Sequence, residues 1–199
     1  MVLTTLAAVV AVMALSRPDL GEGPAGARHG GTPEAIATAV AVELGRGLLT
    51  APHAVAVLSE RDLTVVARER NPQRTRFRDP EARVRQGLVV ITAAGSAGPF
   101  DVTTVAHVRV GLTRGAAEPR LSAAVTAVEV GRLPIPDWAR QTVDPRGADS
   151  LALDRILDSS PAFRILRANV DCVAAVAEGV RLGVHRPGTA ADPQACATL

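Results

Sequence analysis

Apolar and polar positions alternate with period two from Asp101 to Arg114, the signature of a half-buried β-strand. Val102, Thr104, Ala106, Val108, Val110 and Leu112 share one face, and Thr103, Val105, His107, Arg109, Gly111 and Thr113 share the other, polar one. Gly115 to Pro119 supplies a turn. Arg120 to Leu133 then returns with Leu121, Ala123, Val125 and Ala127 inward before the phase slips to Val128 and Val130. A slip of one residue is what a β-bulge produces, and a bulge bends the strand that carries it. The pattern predicts a long, bent hairpin that curls into a trough with an apolar inner wall.

The periodicity changes on either side. Ile36, Val40, Leu44 and Leu48 recur at helical spacing behind Thr32-Pro33-Glu34, which offers an N-cap, a proline at the first helical position and an early acid. Ala54 to Leu58 is a short strand. Ser59-Glu60-Arg61-Asp62 opens a second helix with an acid three residues after the serine, as in a capping box. Arg68 to Arg85 reads as a solvated, highly charged loop, and Gly87 to Ala93 as a further strand. Beyond the hairpin, Leu133-Pro134-Ile135-Pro136 is an extended exit. Short helices follow over Asp137 to Val143, with Trp138 packing inward, over Leu151 to Leu157, and from Pro161 to Leu166. Val170 to Ala177 and Val180 to His185 form a second hairpin around Glu178-Gly179.

This divides the chain into four parts: residues 1–16, a signal peptide or membrane anchor; 17–33, a Gly/Pro-rich linker; 34–186, one α+β domain; and 187–199, a flexible tail. Val2 to Leu15 is uncharged and apolar apart from two threonines. As a helix it would span about 21 Å, short of the ~30 Å hydrocarbon core but close to the length of a secretory apolar region. A short buried helix and an unprocessed leader are the competing readings, and the linker that follows at once favours export. Ala25-Gly26-Ala27 resembles a small-residue cleavage site, although it lies far downstream.

Composition narrows the function classes. The 22 basic residues are all arginine, the formal net charge is only +2, and aromatic residues are nearly absent. A nucleic-acid surface combines a concentrated basic face with stacking aromatics, so no nucleic-acid partner is expected. The arginines Arg74, Arg76 and Arg78 are candidates for contact with anionic lipid head groups, although Glu69, Asp79 and Glu81 interleave with the basic residues of that stretch.

No catalytic set can be assembled. His29, His53, His107 and His185 stand at no metal-ligand spacing with one another or with the cysteines. His107 reads as a solvent-facing strand residue and Ser59 as a cap. Phosphate-binding glycine loops and nucleophile elbows are lacking, so catalytic residues, metal and cofactor are all expected to be none. Cys172 and Cys196 permit a disulfide if the protein is exported. Equally, they fit a buried small residue and a free tail thiol.

The order of elements is similar to a known arrangement. A leader and linker precede a short strand that runs into Ser59-Glu60-x-Asp62-Leu63, followed by long antiparallel strands, a Leu133-Pro134-x-Pro136 exit, a helix and a final hairpin. From about Val55 to Arg186 this resembles bacterial envelope domains of the YpmS, YceB and LmeA type. The resemblance implies a long curved antiparallel sheet wrapped on one or two helices, an extracytoplasmic and membrane-tethered location, and, through the LmeA group, phospholipid binding. Two departures stand out: no lipoprotein-type cysteine near the N-terminus, and an interior built mainly from Ala and Val.

The expected function is non-enzymatic binding of membrane lipid or another apolar small molecule against Val102, Val108, Val110, Leu112, Leu121 and Val125. The alternative is a structural or protein-interaction domain of the cell envelope, with an envelope protein as partner, whose own helices close the trough.

Overall fold

The computed structural model describes residues 10–19, 21–69, 71, 74–97, 99–114, 119–137 and 161–197. Residues 10–15 are helical and are labelled α1. It is followed by α2 (Pro33–Thr50), β1 (His53–Ser59), α3 (Glu60–Glu69), β2 (Arg78–Arg85), β3 (Leu88–Ala97), β4 (Phe100–Arg114), β5 (Pro119–Val130) and β6 (Leu133–Pro134). The described chain ends with α4 (Pro161–Arg167), β7 (Val170–Val176) and β8 (Gly179–His185). The helices expected near Trp138 and over Leu151 to Leu157 lie outside the described residues.

The strands form two antiparallel sheets rather than the one long sheet expected. One has three strands in the order β1-β8-β7; the other is a five-stranded meander, β2-β3-β4-β5-β6. Two sheets arise because the closing hairpin pairs with β1, from the far end of the sequence, in a register that sets His53 opposite His185 and Leu58 opposite Val180. Ile36, Ala37, Val40, Ala41 and Leu44 of α2 are buried in one core cluster with Ala54, Ala56 and Leu58 of β1 and Val180, Leu182 and Val184 of β8. Thr32 caps α2 as its sequence indicates, its side chain accepting from the Ala35 N–H.

The mid-chain hairpin forms with its bulge. His107 pairs with Ala127 and Val108 with Val125, which leaves Thr126 as the extra residue on β5. The Thr126 hydroxyl donates to the His107 carbonyl at 3.1 Å and stitches the bulge. The slip therefore falls one position earlier than the pattern placed it, and Ala127 is exposed rather than inward.

The second face of this sheet differs from expectation. Val90, Thr92, Val105 and Arg83 are buried there, Arg83 at 5% exposure, and His107 is half-buried beside Glu129 rather than solvated. The charged stretch expected as a loop supplies a whole strand, β2, because α3 closes its open edge. Glu60, Thr64 and Arg68, spaced one helical turn apart, meet alternate residues of β2. A Glu60 carboxylate oxygen accepts the Val84 N–H at 2.7 Å, and Thr64 Oγ1 accepts the Ala82 N–H at 2.9 Å. The Arg68 guanidinium donates to the Pro80 carbonyl at 3.2 Å. An unpaired strand edge is normally a liability; here a polar helical stripe stands in for the missing neighbour.

Candidate functional site

The site lies where the sheets meet. Leu112 of β4 faces Asp171, Cys172 and Val173 of β7, with Pro193 of the tail, across an open cleft of about 410 Å³. Two local features shape it. The first is a bulge in β7: Val170 pairs with Val184 and Cys172 with Gly183, so Asp171 is the extra residue. Bulges re-aim side chains, and the Asp171 carboxylate is fully buried with an imidazole on each oxygen. His185 Nδ1 lies 2.6 Å from Oδ1 and His53 Nδ1 lies 3.1 Å from Oδ2. A carboxylate oxygen accepts, so an imidazole that hydrogen-bonds to it through Nδ1 donates from that nitrogen.

The second feature is the Cys172–Cys196 disulfide, with Cα atoms 5.9 Å apart. It carries the tail onto the outer face of the three-stranded sheet, where Cys172, Ala195 and Cys196 form a small cluster with Val55 and Ala174. Gly183 leaves the space that the sulfur fills, since a Cβ there would lie 2.5 Å from Cys172 Sγ. Arg181 adds a bond from its guanidinium to the Cys196 carbonyl. The tail is thus docked at least as far as Cys196, not loose over its whole length.

Of the six candidate apolar lining residues, Leu112 alone borders the cleft. Val108 and Leu121 are buried in the main core at 2% and 7% exposure, while Val110, Leu112 and Val125 pack half-buried against it. Val102 is half-buried towards the opposite end of β4. The candidate head-group residues are all exposed. Arg74 reaches Glu69 at 3.4 Å and Arg78 reaches Asp101 at 2.9 Å; Arg76 has no ion partner among the described residues.

Asp171, His53 and His185 escape sequence reasoning because their meeting depends on the β1–β8 pairing and on a bulge. The one local signal is an acid within the apolar run Val170 to Val176. Among the described residues, no group of three or more His, Cys, Asp or Glu side chains is arranged to hold a metal ion.

A second polar cluster organises the segment read as a free linker. Ser59 and Asp62 form the expected capping box: Asp62 N–H donates to Ser59 Oγ at 3.2 Å, and Ser59 N–H to Asp62 Oδ2 at 3.1 Å. The same side chains, together with Glu60, hold residues 25–29. Ala25 N–H donates to Glu60 Oε2 at 2.8 Å, the Ser59 hydroxyl donates to the Ala27 carbonyl, and His29 meets Asp62 through both its N–H and Nδ1. Glu60 and Asp62 are 2% and 0% exposed. Burial pushes the Glu60 carboxyl up, but the N–H groups of Val84 and Ala25 together with Arg85 outweigh it and hold the group below its usual range.

No family model, curated protein or solved structure matches the chain.

Proposed function

We propose that the chain is a non-enzymatic, extracytoplasmic and membrane-associated domain that binds a lipid or another apolar ligand in the cleft beside Leu112. The observation that carries this reading is the cleft itself. Its ~410 Å³ falls within the few hundred to a thousand Å³ of ordinary ligand sites, and Leu112, Val173 and Pro193 give it apolar walls. The Cys172–Cys196 bond supports an oxidising compartment, and the apolar stretch Val2 to Leu15 supports attachment to a membrane. Burial of Val108 and Leu121 favours the second reading, a structural or interaction domain with a closed core, for the middle of the trough only.

The test is titration with a dansyl-labelled fatty acid, together with native mass spectrometry of protein purified from membranes. The proposal expects saturable binding that Leu112→Arg abolishes. Absence of binding, with repeated recovery of bare protein, would establish the closed-core alternative.

A further inference from the structure

Strand β1 stands at the edge of the three-stranded sheet, and the hydrogen bonds at its two ends fix which backbone groups face outward. In an antiparallel ladder, residue pairs that exchange backbone hydrogen bonds alternate with pairs that do not. Arg186 N–H donates to the Pro52 carbonyl at 2.8 Å, which continues the register that sets His53 opposite His185. Ala54, Ala56 and Leu58 therefore direct their N–H and C=O groups at β8. His53, Val55, Val57 and Ser59 direct theirs at the open edge, where Ser59 N–H bonds to Asp62 Oδ2 at 3.1 Å. Beyond the other end, Ala51 N–H is taken by the Gly47 carbonyl at 3.0 Å. What remains is a bounded run, His53, Val55 and Val57, half-buried at the side chains, whose outward backbone groups have no partner among the described residues.

We infer that β1 pairs along this edge with β1 of a second copy of the chain, antiparallel and about a two-fold axis at Val55, so that one sheet runs through the dimer. An unpaired edge recruits an extended backbone, and the usual protections are missing here. Residues 53–58 carry no Lys, Arg, Asp, Glu or Pro, whereas the edge of β2 is closed by α3. The bounds of the run select a second copy as the occupant. Centred on Val55, the pairing sets His53 against the partner's Val57, Val55 against the partner's Val55 and Val57 against the partner's His53. Every outward N–H and C=O of both runs is then satisfied. The neighbouring registers bring in Ser59 or Ala51, whose N–H groups Asp62 and Gly47 already hold. The side chains agree with this symmetry. Ala54 and Ala56, buried on the core face, exchange places under the two-fold, and on the outer face Val55 meets its own copy. Such β-branched pairs stabilise antiparallel strands, and an uncharged edge meets itself without like-charge repulsion. The run is short, so the dimer is reversible and depends on concentration.

This pairing goes beyond the proposed ligand binding and depends on neither the cleft nor a membrane. Amide hydrogen exchange of the full chain across a dilution series, with sedimentation velocity on the same samples, tests it. The amides of His53, Val55 and Val57 should gain protection as the dimer forms. Those of Ala54, Ala56 and Leu58, bonded to β8, should stay protected at every dilution. Val55→Lys and Val55→Glu each set like charges against each other at the axis and should weaken the dimer about fivefold or more. Their equimolar mixture should regain it as a heterodimer. Protection of Ala54 and Ala56 in both variants reports an intact β1–β8 ladder; should a variant lose it, the wild-type exchange pattern decides alone. A wild type that stays monomeric at every concentration overturns the inference, as does a dimer in which His53, Val55 and Val57 exchange no more slowly than in the monomer. Protection of these three amides in the dilute monomer overturns it equally, by placing another part of the same chain on the edge.

Discussion

Glu60 is the residue on which most local structure converges. Its carboxylate accepts from Val84 N–H in β2, from Ala25 N–H in the docked segment and from the Arg85 guanidinium at 2.9 Å. Because these partners hold its folded pKa below the ordinary value of 4.5, its stabilising effect is complete above pH 4.5. It is lost as the pH falls through the lowered folded value. Urea midpoints measured across that range should drop in the wild type. Glu60→Gln should start lower by about 1–3 kcal/mol, the penalty for disturbing a buried, charge-assisted set, and show a flatter acid limb. Gly26, at φ +92°, lies against Ser59, whose Cβ would be 2.5 Å from any Cβ added there. Gly26→Ala should release residues 24–29 and make them a site of rapid limited proteolysis, while the rest of the domain resists.

At the scale of elements, α3 works as a substitute strand. Thr64 is the cleanest place to test this, being buried and bonded to Ala82 alone among the described residues. Thr64→Val keeps the shape but leaves the Ala82 N–H without an acceptor, which should lower stability by about 1–3 kcal/mol. Thr64→Ser should recover most of the loss in the same denaturation assay. Elements held by local rules were legible in the sequence: the Thr32 cap, the Ser59–Asp62 box, the β4–β5 alternation with its bulge, and the closing hairpin. What depends on distant partners was not. Arg68 to Arg85 carries enough charge to look like solvated loop, and only the polar stripe of α3 turns its second half into a strand. The Ala25–His29 segment looks like linker because it has no apolar pattern; buried carboxylates hold it, and those report nothing about their partners in sequence. Of the five residues that line the candidate site, one was likewise readable. Leu112 follows from alternation, whereas the wall formed by Asp171, Cys172 and Pro193 requires the sheet pairing and the disulfide.

Taken as a whole, the molecule joins its extremities to its centre. The N-terminal segment is held by α3, α1 sits on the β5–β6 turn, and the tail is tied to β7 across a sequence separation of 24 residues. A loop of that size, closed covalently, stabilises a fold by roughly 3 kcal/mol, so Cys196→Ser and wild type kept in dithiothreitol should both lose about that much in denaturant titrations. Their effect on binding should be just as definite. Pro193 stands three residues before Cys196 and forms one wall of the cleft, so an untied tail carries that wall away from Leu112 and Val173. Under conditions where the reduced protein remains folded, its affinity for the dansyl fatty acid should fall several-fold. Unchanged affinity after reduction would mean that the ligand contacts β4 and β7 without the tail, and that Cys172–Cys196 serves stability alone.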